Sequence, residues 1–241
     1  MSRQFGEGPC QNAVRPKEKI MPGKTRSKKP VAAGSAGTKA ARVPKAKKAP
    51  KTEKSGETAQ LVSSEVVFKG RLFNVVHDKV IEPGGHQNER DIVRHNGSAV
   101  ILAVDSRKSR KNPWVVMERQ YRHAAGRFLW ELPAGKIEPD EDPLAGAQRE
   151  LAEETGYRAR KWSELVQFWP SPGFVGEWMK LFLAEDLTAG DSLPEEDERI
   201  ELRLVRFDDV LKMIDKGAIQ DGKTLAGILL YARLKLKGRK K

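Results

Sequence analysis

Ser98–Val104 reads Ser-Ala-Val-Ile-Leu-Ala-Val, a nearly unbroken apolar run closed by Asp105. A strand with one wet face alternates apolar and polar residues. A continuous run is what a strand buried on both faces requires, so layers must cover the sheet on either side. Shorter β-rich runs precede it at Glu65–Phe68, Phe73–Ile81 and Asp91–His95, with Gly84-Gly85 marking a turn. After the polar turn Ser106–Pro113, further strands are expected at Trp114–Gln120, Phe128–Leu132, Leu165–Trp169, Trp178–Glu185 and Ile200–Arg206. Helices are expected at Pro143–Thr155, near Asp208–Lys216 and near Lys223–Lys237. Strands and helices mix without strict alternation, which predicts an α/β fold with a mixed sheet packed between helices.

Residues 1–60 differ in kind. They hold 15 Lys and Arg against 4 Asp and Glu, a net +11 of the chain's +12. Pro44–Lys51 is low-complexity and basic. A stretch so poor in large apolar residues cannot offset its ordering entropy, so a disordered basic tail is expected at 1–60. Two readings of the tail stand: a solubilising segment, or weak nonspecific contact with nucleic acid, sensitive to salt and blind to sequence. The chain's only cysteine, Cys10, also lies there, which allows no intramolecular disulfide and fits a reducing compartment. The longest apolar runs, such as Ser98–Val104 and Leu225–Tyr231, are far too short to span a bilayer. The expected setting is cytoplasmic, with no membrane partner.

The stretch with chemical content is Gly135 to Tyr157. Asp142 is placed to cap a helix that begins at Pro143, and Gly156 follows its last turn. Leu144, Ala147, Gln148 and Leu151 are expected on one face. Glu150, Glu153 and Glu154 are three and four apart, so their carboxylates crowd neighbouring positions on one helical surface. Two of them also sit in the last turn, where the helix dipole disfavours negative charge. A solvated acidic face is one explanation. A divalent cation that reverses the cost is the other.

The surroundings favour the cation. Gly135, Glu141, Arg149-Glu150-Leu151, Glu153-Glu154, Gly156 and Tyr157 stand at the spacings of the Nudix box, so the chain resembles the Nudix hydrolase family. The resemblance implies a Nudix-type α/β/α sandwich over 98–241, preceded by a small N-terminal antiparallel β-sheet at 61–97. It also implies magnesium, with manganese as an alternative, held by Glu150, Glu154 and the carbonyl of Ala134. Arg149 and Glu153 join the catalytic set, and Gly135, Glu141 and Gly156 shape the motif.

Further segments are similar to the ADP-ribose pyrophosphatase branch. They are Arg119-Gln120-Tyr121-Arg122, Glu131-Leu132-Pro133-Ala134-Gly135, and Ser171-Pro172-Gly173-Phe174 with Pro172 sixteen residues past Gly156. The branch implies hydrolysis of ADP-ribose to AMP and ribose 5-phosphate. Other nucleotide sugars (GDP-mannose, ADP-glucose) are the alternative, and a tail-directed, nucleic-acid-associated Nudix protein is a third reading. In the acidic loop Glu195–Glu198, Glu196 is expected to activate water and Glu198 to assist metal binding, against the bland reading of a solvated turn. Pro172 and Gly173 are expected at the substrate. Arg90 and Arg122 are expected either at substrate or in surface ion pairs, and Phe73 either stacked on adenine or in a small core. The four histidines have no metal-site spacing. In similar enzymes the N-terminal sheet packs across a homodimer, and a homodimer is expected here.

Overall fold

In the computed structural model, the described residues are 58–191 and 200–238. The tail expected at 1–60 therefore falls almost wholly outside them, and so do Glu196 and Glu198.

The described residues form two sheets. The first holds β1 (Gln60–Lys69), β2 (Asn74–Ile81) and β3 (Gln87–Arg94), antiparallel with β2 in the middle. Gly84 and Gly85 make the β2–β3 turn at φ +97° and +89°, a region that costs a glycine nothing. Asp78 is the buried polar residue of this sheet. It accepts hydrogen bonds from Ser64 Oγ and Arg94 Nη2, both at 2.5 Å. All ten residues of β1 are exposed, among them Leu61, Val62, Val66, Val67 and Phe68.

The second sheet holds β4 (Ser98–Asp105), β5 (Trp114–Arg122), β8 (Tyr157–Phe168), β9 (Met179–Ala189) and β10 (Glu201–Arg206), in the order β10-β5-β4-β9-β8. β4 and β9 run parallel and the other pairs are antiparallel, so the sheet is mixed. β4 is buried from Ser98 to Val104, as its apolar run requires. Its alternate residues serve two cores. Val100, Leu102 and Val104 pack with Leu132 and Leu181 towards α2 (Phe207–Asp215) and α3 (Gly222–Gly238). Ala99, Ile101 and Ala103 pack with Ala147 and Leu151 of α1 (Pro143–Thr155). The expected three-layer sandwich is present.

β4 and β5 pair only at Val104–Val115 and Asp105–Trp114. Beyond that point they part. β6 (Arg127–Glu131) pairs with β5, and β7 (Ala134–Lys136) pairs with β4. Between them Pro133 crosses the fork, and its carbonyl accepts from Ile101 N at 2.8 Å.

α1 forms as its local signals predict. Asp142 Oδ1 accepts from Leu144 N and Ala145 N at 3.0 and 3.1 Å, Pro143 opens the first turn, and Gly156 closes the helix at φ +70°. One detail is corrected. Gln148 is exposed, and the buried stripe runs through Gly146, Ala147, Leu151, Glu154 and Thr155. Leu151 is sealed between helix and sheet. Leu151→Ala is expected to cost roughly 2–5 kcal/mol, because the rigid β4 side of the site cannot collapse into the void. Urea unfolding measures this.

Candidate active site

Gly135, Arg149, Glu150, Glu153 and Glu154 of the motif converge on one cleft of about 370 Å³. It is lined by Arg71, Leu72, Gln120, Arg122, Ala134, Gly135, Lys136, Glu138, Arg149, Glu150, Glu153 and Glu154. β7 supplies one wall and α1 the other. At the wall itself, a Cβ added to Gly135 would lie 1.9 Å from Glu150 Cδ and 2.2 Å from both carboxylate oxygens. Only a residue without a side chain lets the Glu150 carboxylate rest on this backbone.

Arg149 organises the acids. Its Nε and Nη2 donate to the two oxygens of Glu141 at 3.0 and 3.1 Å, and Nη2 also reaches the Lys136 carbonyl at 3.0 Å. Nη1 donates to Glu150 at 2.8 Å and to Glu153 at 3.0 Å. One guanidinium thus offsets the repulsion that the helix builds into its last turns. The Glu141 pair foremost, with Glu150 and Glu153 behind it, raises the Arg149 pKa further, and Arg149 in turn holds the Glu141 carboxyl below the usual range. Glu141 also accepts from Glu138 N at 2.9 Å, which ties the loop between β7 and α1 to the same cluster. The expectation that Glu141 is Arg149's counterpart matches this geometry.

Glu154 is buried and meets Glu118 of β5 beneath the helix. Burial raises the Glu118 carboxyl well above the ordinary carboxylate range. Among the described residues no three acidic, His or Cys side chains already gather around one point at metal-binding distance. Glu150 and Glu153 are instead drawn to Arg149. The donor chemistry nonetheless fits a hard divalent cation: every candidate ligand is oxygen, several share one cleft, and the bare Gly135 backbone lets the Glu150 carboxylate lie against it.

Arg122 lines the cleft, and its ion pair is made inward, not at the surface. Its Nε and Nη2 donate to Glu131 at 2.9 and 2.8 Å. Pro172, Gly173 and Arg90 line a second cavity of about 430 Å³, together with Asp78, Arg94, Trp169 and Phe174. The Phe174 carbonyl accepts from Val93 N and the Val93 carbonyl accepts from Gly176 N, both at 2.8 Å, so the Ser171–Phe174 turn is laced to β3. Arg90 also makes the surface ion pair foreseen for it, with Glu82 at 2.7 Å. Phe73 lines neither cavity and packs obliquely on Phe68, 6.1 Å between ring centres. It is half-exposed, so neither the small core nor a stacking position is formed around it.

The histidines are structural or exposed, as expected. His77 pairs with Asp91 at 2.8 Å, His95 Nδ1 accepts from Gly97 N at 3.1 Å, and His86 and His123 are exposed. Sequence reasoning missed Arg71, Leu72, Glu118, Glu131 and Lys223. The first two carry no motif. Glu131, read only as part of the segment Glu131–Gly135, meets Arg122 across the β5–β6 pair, Glu118 meets Glu154 of α1, and Lys223 reaches Glu131 across 92 residues of chain.

Residues 94–227, more than half of the chain, match the family model described as NUDIX domain. The ADP-ribose pyrophosphatase of Bacillus subtilis (strain 168) is 36% identical over 72% of this chain and 92% of its own length. The GDP-mannose pyrophosphatase of Cronobacter sakazakii (strain ATCC BAA-894) is 34% identical over 69% of this chain and 88% of its own. A solved structure described as an ADP compounds hydrolase superposes with a TM-score of 0.63 at 21% identity, covering 78% of this chain and 98% of that one, which shows the shared fold. The chain belongs to the Nudix hydrolase family.

Proposed function

We propose that this Nudix hydrolase splits the diphosphate bond of ADP-ribose, giving AMP and ribose 5-phosphate. The observation that carries the reading is the cleft in which Gly135, Arg149, Glu150, Glu153 and Glu154 meet Arg122. The cavity lined by Pro172, Gly173 and Arg90, and the similarity to a protein named ADP-ribose pyrophosphatase, support this substrate over other nucleotide sugars.

In this reading magnesium, or manganese in its place, is held by Glu150, Glu154 and the Ala134 carbonyl, with Glu198 assisting. When bound, such a cation neutralises diphosphate charge and makes a coordinated water more acidic. Arg149 holds Glu150 and Glu153 of the helix together with Glu141 of the preceding loop. Arg122 donates to the diphosphate, and Glu153 adds a carboxylate at the rim. Glu196 takes the proton of the attacking water; this role lies in residues outside those described. Pro172 and Gly173 shape the pocket for the sugar or base, with Arg90 at its edge; Phe73, which lines neither cavity, is given no role.

The test is turnover of a panel of ADP-ribose, GDP-mannose and ADP-glucose in magnesium and in EDTA, with products identified. AMP and ribose 5-phosphate formed fastest from ADP-ribose, and only with metal, is the expected result. A clear preference for GDP-mannose would replace the substrate, a reading favoured by the similarity to a GDP-mannose pyrophosphatase.

A homodimer belongs to the same proposal. An all-exposed strand bearing Leu61, Val62, Val66, Val67 and Phe68 is an apolar surface of the kind that a second copy covers. Sedimentation at micromolar concentration should give twice the 27.0 kDa chain mass, and a monomer there would remove the dimer. The basic tail is assigned weak, salt-dependent contact with nucleic acid, and the lone Cys10 is in keeping with the cytoplasm.

A further inference from the structure

Behind the cleft lies an ionic network of which the proposed mechanism uses only Arg122. Glu131 ends β6 with its side chain only 2% exposed. Two cations hold it. Arg122 donates to it with two nitrogens, and Lys223, in the first turn of α3, makes a short contact to Oε2. The Lys223 side chain is itself only 10% exposed, and it also pairs with Asp221 Oδ1 at 3.1 Å.

This end of α3 is fixed independently. Asp221 Oδ2 accepts from Thr224 N at 2.9 Å and from Thr224 Oγ1 at 2.6 Å. The Thr224 hydroxyl then accepts from Leu132 N at 2.8 Å, the residue next to Glu131. Lys223 is thereby presented to Glu131 by a helix stitched to the same strand. Burial opposes ionisation of Glu131, yet Arg122 and Lys223 together hold its carboxyl below the usual range.

Only Arg122 of this chain of contacts borders the cleft. A guanidinium carries five N–H donors in a rigid fork. Glu131 takes one from Nε and one from Nη2, which leaves three, both on Nη1 and one on Nη2, and the Arg122 side chain as a whole is 41% exposed.

We infer that Lys223 and Glu131 are positioning residues for substrate binding: Lys223, seated by Asp221 and Thr224, clamps Glu131, and Glu131 aims the N–H groups of Arg122 that it does not itself take at the diphosphate. The inference rests on the reading of this cleft as the diphosphate site. It does not depend on which nucleotide sugar is preferred.

The test is a mutant cycle in the full-length enzyme. Steady-state kinetics are combined with calorimetric binding of α,β-methylene ADP-ribose, which cannot be hydrolysed. Lys223→Met and Arg122→Ala are each expected to raise KM about tenfold and weaken analogue binding about as much, with kcat within about threefold. Arg122→Ala/Lys223→Met should be no worse than Arg122→Ala alone, because Lys223 acts through Arg122. Multiplying effects in the double variant, or a lowered Tm with unchanged KM in Lys223→Met, would reduce Lys223 to a structural ion pair and overturn the inference.

If Lys223→Met does not fold, Glu131→Met/Lys223→Met removes both buried charges together, a change that folds more readily. It should show the same rise in KM, and unchanged KM and analogue affinity there would be equally fatal. A wild type that ignores ADP-ribose but hydrolyses another nucleotide sugar would displace the proposed substrate only. The cycle would then be read on that sugar and on its methylene analogue. A wild type that turns over no nucleotide sugar and binds no analogue would take the inference down with the site.

Discussion

Glu150→Gln is expected to lower kcat for nucleotide-sugar hydrolysis at saturating magnesium by at least about a hundredfold, because even groups that only support a metal ligand change activity by about 10–100-fold. The same substitution should leave stability in EDTA unchanged or slightly raised, by up to about 0.5 kcal/mol. Both halves come from one geometry. Glu150 and Glu153 each accept from the same nitrogen, Arg149 Nη1, so two carboxylates crowd one terminus of the guanidinium beside a third acid, Glu154. Glutamine keeps the shape and removes a charge that the helix alone disfavours. Thermal unfolding with and without magnesium, run beside the kinetics, reads both. The wild type should gain Tm on adding magnesium by mass action, and the variant should lose most of that gain. Retention of kcat within threefold would remove Glu150 from the metal site.

Gly135→Ala is expected to abolish most activity while leaving the fold in place. The new methyl carbon would stand 1.9 Å from Glu150 Cδ, a distance no pair of carbons tolerates. What must give is the end of a flexible side chain, not backbone, so the Glu150 carboxylate swings away and its 2.8 Å bond to Arg149 breaks. The fall in kcat should approach that of Glu150→Gln, about a hundredfold, at a stability cost of about 1 kcal/mol. Circular dichroism with urea unfolding and the same kinetic assay would separate the effects. Near-normal activity in Gly135→Ala would mean that Glu150 works from another position, and the cleft geometry would need revision.

What could be read in advance was what short-range chemistry decides. Asp142, Pro143 and Gly156 bounded α1 correctly, because a cap, a first-turn proline and a left-handed terminus each act within a few residues. The apolar run of β4 announced a strand covered on both sides. The β8 strand was read too short, as Leu165–Trp169 against the observed Tyr157–Phe168. Its first half carries Arg158, Arg160 and Lys161, charges that face water while Ala159 and Trp162 pack inward. Likewise β1 spans Gln60–Lys69 where only Glu65–Phe68 was expected, since no buried face imposes a pattern on it. In the site, the box residues were legible because 23 consecutive positions carry them. Glu131 and Lys223 were not. They touch across 92 residues of chain, and neither residue alone announces a partner.

The crossing of Pro133 between the two arms of the forked sheet sets a limit on how this enzyme can be altered. Five consecutive residues carry Glu131 on the β5 side and Gly135 on the β4 side, with both ends held in strand register. Because side chains alternate along a strand, inserting or deleting a single residue there would turn either Glu131 away from Lys223 or Gly135 away from Glu150. The segment is locked in length as well as in identity. Loop grafting or recombination aimed at new substrates should therefore place its junctions elsewhere, at the His123–Gly126 hairpin or the Ser106–Pro113 turn, where added residues disturb neither register.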